Sequence, residues 1–164
     1  MRSFYLATHK EAEARLSRKV PDLSETRHEL DVLGTKIIKA LAKRKQYPYN
    51  PKAKMEFAGI RPEIVELYLP MLKLLCKAGS ETSEESARID LEILALLQKR
   101  ILKAYDAAAY KKLHKMKISD GAREKLVLEN AVNDAKEFGI NPEIGRAIMK
   151  IIIENTKKLE ERIF

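Results

Sequence analysis

Along almost the whole chain, apolar residues return every third or fourth position, and no stretch alternates as a strand would. This periodicity confines the fold to helices packed on helices, each burying one stripe. It predicts helices near 2–18, 22–46, 60–78, 82–115, 119–138 and 141–163. The breaks between them have local causes. Pro21 opens the second helix, and "YPYNPKAK" ends it, because Pro48 and Pro51 cannot donate to the helical ladder. Gly139 stops the fifth helix; Asn141 caps the sixth and Pro142 fills its first position. Pro70 falls inside a helical pattern and predicts a kink.

The stretch "IDLEILALLQKRILKAYDAAAYKKL" carries the most informative exception to apolar burial. At 100° per residue, Ile89, Ile93, Leu96, Leu97, Ala104 and Ala107 form one stripe, and Arg100 and Lys111 lie within it. The two cations are eleven residues apart, three turns plus a small rotation, or about 16 Å along the axis. Ala104, Ala107 and Ala108 between them leave room for an anion. Otherwise, each cation pairs with a core acid or runs its stem outward to water. Arg27 repeats the pattern in the stripe of Leu23, Leu30, Gly34, Ile37, Ile38 and Leu41. Arg44 shares that stripe, and a structural ion pair is the favoured reading for it.

Two acidic or polar pairs also sit at helical spacing. Asp120 and Glu124 continue the stripe of Val127, Leu128, Ala131 and Ala135; first-turn acids also serve as caps and suit the helix dipole. Thr156 and Glu160 flank Met149, Ile152 and Ile153, within a charged segment that reads equally as a solvated face.

Composition narrows the partners. The chain has 164 residues, 45% of them apolar and 34% charged, which fits one globular domain spanning 1–164. No apolar run approaches the roughly 18 residues of a membrane span. The opening "MRSFYLATHKEAEARLSRK" lacks an apolar secretory segment, and with Cys76 as the single cysteine the expected location is cytoplasmic. The net charge of +8 favours an anionic partner: nucleic acid, an acidic membrane surface or a small polyanion. The cations are interleaved with 24 acids rather than massed, and no nucleic-acid motif is present, so neither nucleic acid nor membrane is the expected partner. His9, His28 and His114 lack metal-ligand spacing, and there is no phosphate loop, nucleophile elbow or dinucleotide fingerprint. No cofactor or metal is expected. A pocket of cations with a few hydrogen-bonding acids suits a small hydroxylated dicarboxylate that is held and shaped rather than attacked.

The chain also contains a suggestive repeat. "RHELDVLGTKIIKALAKR" and "EESARIDLEILALLQKR" share a rhythm in which Arg44 and Arg100 end corresponding runs; "IRPEIVELYLPMLKLL" likewise parallels "INPEIGRAIMKIIIEN". The first copy, about 22–79, lacks the helix that the second, about 82–163, has at 119–138.

These residues together resemble the all-helical chorismate mutases over roughly 22–163. The resemblance is carried by "IDLEILALLQKR" ending in Arg100, by Lys111, by "DGARE" with Asp120, Arg123 and Glu124, and by "NPEIGRAIMKIIIENTKKLE" with Thr156 and Glu160. "RHELDVLGTKIIKALAKRKQYPYNP" is similar to the opening helix of the tandem, eukaryotic-type form. The resemblance implies an all-α bundle of the chorismate mutase II type, a pseudo-two-fold fused repeat with a shortened first repeat. It implies the isomerisation of chorismate to prephenate without a cofactor, in a monomer or homodimer. In the bacterial form, one arginine reaches each site from the other subunit. The second repeat has Ser83 at that position, and Arg27 of the first repeat matches it.

The implied substrate-binding residues are Arg27, Arg100, Lys111, Asp120, Arg123, Glu124, Thr156 and Glu160, with Lys111, Glu160 and Arg100 catalytic. Asp120 and Glu124 would receive the ring hydroxyl, Arg123 would brace the site and Thr156 would support a carboxylate. Many bacterial relatives carry glutamine where Glu160 stands. The first repeat's own pocket should be dead: Met55 takes the lysine position, and Cys76 and Ser80 stand where Thr156 and Glu160 do. The region that larger eukaryotic enzymes use to sense aromatic amino acids is cut away. The alternatives are a relative that binds another small dicarboxylate without this turnover, and a basic helical nucleic-acid module.

Overall fold

Asp22 starts the first of the five helices bounded among the described residues by accepting the Ser24 amide at 3.1 Å. In chain order these are α1 (Leu23–Arg44), α2 (Pro62–Leu75), α3 (Glu84–Leu113), α4 (Gly121–Phe138) and α5 (Pro142–Ile163). The structure, a computed structural model, describes Lys10, Glu13, Ala14, Leu16 and residues 19–81 and 83–163. The expected helix over 2–18 lies mostly outside the described residues. The other five expected helices are present, each trimmed by up to three residues at an end.

Trimming has identifiable causes. Ser83 and Ser86 form a reciprocal capping box that starts α3 at Glu84. Asp120 caps α4, and Gly139 ends it in the left-handed conformation at φ 83°. Asn141 accepts the Glu143 amide at 2.9 Å, so α5 begins at Pro142. α2 runs through Pro70 to Leu75.

α1 packs mainly on α3, α4 packs on α5, and α1 also crosses α4; α2 lies against α3 and α5. The core is a mixed apolar cluster: Ile37, Ile38 and Leu41 of α1, Tyr68, Met71 and Leu72 of α2, Ile93, Leu94 and Leu97 of α3, and Ile148 and Ile152 of α5. Each such side chain, taken from water, contributes on the order of 1.5–3 kcal/mol before ordering costs. Leu96, expected in the α3 stripe, is only half-buried. α4 brings small residues, Ala131 and Ala135, to its contact with α5, and Gly145 fits against them. A Cβ built on Gly145 would stand 2.6 Å from the Ala135 Cβ, so glycine is what permits this approach.

No strand is formed among the described residues. A single parallel bridge joins Tyr49 to Ala78 and ties the α1–α2 connector to the segment after α2. No helix among the described residues is long and apolar enough to cross a membrane.

Candidate functional site

Arg44 and Arg100, each at the end of an apolar run, have opposite fates. Arg44 is buried, and its Nε donates to Asp90 Oδ1 at 2.7 Å. Its remaining nitrogens donate to the Tyr47 carbonyl at 2.8 Å and the Pro48 carbonyl at 3.2 Å. The Tyr68 hydroxyl donates to the same Asp90 oxygen. Burial works against the Arg44 charge, and the bonded Asp90 more than offsets it, leaving the guanidinium harder to deprotonate than usual. Arg44 thus makes the structural ion pair favoured from the sequence.

Arg100 is also buried, at 5% exposed, but its Nε has no hydrogen-bond partner and no acid pairs with it among the described residues. Burial pulls its guanidinium down to about 10, and the Arg123 cation adds to the fall; Asp31 and Glu160 oppose it. A buried cation without a bonded counter-ion is costly, and an anion placed against it would relieve that cost.

Arg100 forms part of a cleft of about 630 Å³, counting its open mouth. Every site residue named from the sequence lines it: Arg27 from α1, Arg100 and Lys111 from α3, Asp120, Arg123 and Glu124 from the start of α4, and Thr156 and Glu160 from α5. Leu30, Ala104 and Ala107 make the apolar floor between the cations. Lys157, not anticipated, is also in the wall and pairs with Glu124 at 2.6 Å. The lining therefore holds five cations against three carboxylates, a surplus that suits a dianion.

The details of the polar groups differ from the sequence expectation in two places. Asp120, expected to face a ligand hydroxyl, is engaged within the protein: it accepts the Arg123 amide at 3.1 Å as helix cap and pairs with Arg27 at 3.0 Å. Those contacts, the amide first, hold its carboxyl below the ordinary value. The Thr156 hydroxyl donates to the Ile152 carbonyl at 2.7 Å, so it has only lone pairs to offer a ligand. Thr156 is buried and Glu160 half-buried, which rules out a solvated face for this pair.

Lys111 Nζ donates to the Ile118 carbonyl at 2.8 Å, which folds the α3–α4 connector over the end of the cleft. Burial makes the ammonium more acidic than usual and Arg27 adds to this, while Glu160 opposes it. Glu160 is pushed up to about 7 by burial, against the pull of Lys111 and Arg100. Near neutral pH it is therefore divided between carboxylate and acid, and the acid form can donate a hydrogen bond.

The sequence reading missed the acids behind the cations. Asp31 bonds Arg123, and Asp90 bonds Arg44. Asp31 is four residues after Arg27, on the same face of α1, a spacing that could have revealed it.

Residues 83–161 match the family model described as chorismate mutase type II. No solved structure matches the chain.

Proposed function

We propose that the cleft binds chorismate and rearranges it to prephenate, from the premise that residues 83–161 match the family model described as chorismate mutase type II. The reaction of the family is pericyclic: the ether C–O bond breaks as a C–C bond forms, with no proton transferred and no cofactor called for. The protein's task is to select the compact chair form of a flexible dianion and to stabilise the charge that grows on the ether oxygen.

Arg100 and Arg27 hold the two carboxylates, and pinning both ends removes the entropic part of the barrier. Lys111 lies against a carboxylate and the ether oxygen. A fixed cation there gains importance as negative charge develops, so it favours the transition state over the bound substrate. Protonated Glu160 donates to the ether oxygen from the other side. Glu124 receives the ring hydroxyl, while Asp120 orients Arg27 rather than the substrate. In this reading the first half of the chain serves as donor of Arg27, and its own arginine, Arg44, is structural.

The observation that carries the proposal is the buried, unbonded Nε of Arg100 in a cleft whose cations outnumber its acids. The test is to mix the protein with chorismate, follow the loss of its ultraviolet absorbance and identify the product. Prephenate is expected. Lys111→Ala should lower kcat by about 10² or more, the scale of one lost oxyanion donor. An unchanged absorbance, or a near-normal rate in that variant, overturns the reading.

A further inference from the structure

Two ion pairs run in opposite senses between α1 and α4. Arg27 of α1 reaches Asp120 at the cap of α4, at 3.0 Å. Arg123, in the first turn of α4, reaches back to Asp31 of α1 with both ends of its guanidinium, Nη2 to Oδ1 at 2.7 Å and Nη1 to Oδ2 at 3.2 Å. The same Nη2 donates to the backbone carbonyl of Arg27 at 3.2 Å. The spacings, four residues on α1 and three on α4, put each charge pair on one helix face. The two-pronged bond gives direction as well as attraction; the Arg123 side chain is only 15% exposed, while Asp31 at 35% keeps contact with water that screens part of the charge.

Asp31 also stands behind Arg100. A small crevice that shares Leu30, Arg100 and Val127 with the cleft has Asp31 in its wall. Arg123 bears unfavourably on the Arg100 charge and Asp31 bears in its favour. Removing Asp31 would leave Arg123 without a carboxylate beside a buried guanidinium. Asp120 and whatever occupies the cleft would be among the anions left to it, and for both it would compete with Arg27.

We propose that Asp31 is a positioning residue: it turns Arg123 toward α1, and through that guanidinium it fixes the backbone of Arg27 and the line along which Arg27 enters the cleft. This rests on the reading that the cleft takes chorismate. Asp31 itself touches no substrate. Its effect is carried by Arg123, which is why the two residues must act as one unit.

The experiment compares steady-state kinetics of the full chain with those of Asp31→Ala, Asp31→Asn, Asp31→Glu, Arg123→Ala and the Asp31→Ala/Arg123→Ala double variant. Circular dichroism and melting accompany each. The alanine and asparagine variants should raise KM for chorismate roughly tenfold with a smaller change in kcat, because binding geometry is what loosens. Asp31→Glu should recover most of the loss, and the double variant should be no worse than Arg123→Ala alone. An unchanged KM, or losses that multiply in the double variant, would overturn the proposal; so would loss of cooperative melting in both Asp31→Ala and Asp31→Asn, which would make the role one of folding. A crystal structure of Asp31→Asn separates this idea from the functional reading. Arg123 should have left the Arg27 carbonyl and Arg27 should have shifted from Asp120. If both contacts persist, the clamp is wrong whatever happens to chorismate, whereas an inactive wild-type chain defeats only the functional reading.

Discussion

Glu160 and Arg100 are held away from their ordinary acidities by the same burial, and the consequences differ because one is an acid and the other a base. For Glu160, burial favours the neutral form and raises its pKa to about 7. If the protonated acid is the donor to the ether oxygen, activity is full below that value and falls as pH rises through it. Bound dianion pushes the fall to higher pH, because it further disfavours the carboxylate. Glu160→Gln donates at any pH, so its kcat against pH should be flat between pH 5 and 9 where the wild type declines. A steep alkaline fall surviving in that variant would remove Glu160 from the ether oxygen. The inward aim of Arg27, Arg100 and Lys111 was legible in the sequence, because helical phase alone puts them in apolar stripes. The roles of Asp31, Lys157 and Asp90 were not. Their meaning depends on which helices cross, and phase along one helix carries no information about its neighbour.

At the level of the element, the contact between α4 and α5 decides where the first turn of α4 sits, and with it Asp120, Arg123 and Glu124. Gly145 permits that contact, since any Cβ there meets Ala135. Alanine would favour an isolated helix over glycine by roughly 1 kcal/mol. Here overpacking wins, and Gly145→Ala should destabilise the protein by about 1–3 kcal/mol, read as a lower midpoint in urea. A midpoint equal to or above wild type would mean that α4 and α5 adjust freely. Gly139, Asn141 and Pro142 announced this junction from the sequence because cap chemistry is local. The close approach at Gly145 was invisible, since a glycine in mid-helix looks the same whether it faces water or a neighbour. Asp120 shows the same limit: it was recognisable as a first-turn acid, but its partner Arg27 comes from 93 residues earlier.

Over the whole molecule, the two halves of the chain are joined by charged groups as well as by the apolar core. Asp90 of α3 holds Arg44 of α1 and the hydroxyl of Tyr68 of α2 in one buried knot. Deleting one partner strands a buried charge, so Asp90→Ala should cost about 3–5 kcal/mol in chemical unfolding. A loss below about 1 kcal/mol would show that water reaches Arg44. The helical class and five of the six expected helices followed from periodicity. The assembly of one cleft from both halves did not follow from periodicity, and was suggested only by the resemblance of Arg27 to a donated arginine.

That covalent arrangement has a kinetic consequence. Where a required side chain arrives from a separate subunit, mass action governs the supply, and diluting the enzyme disarms it. Here Arg27 is tethered to the same polypeptide as Arg100 and Lys111, at an effective concentration that the solution cannot change. If the cleft rearranges chorismate, rate per milligram should therefore stay level from micromolar down to nanomolar protein. A decline on dilution, reversed on reconcentration, would mean that a second copy completes the cleft after all.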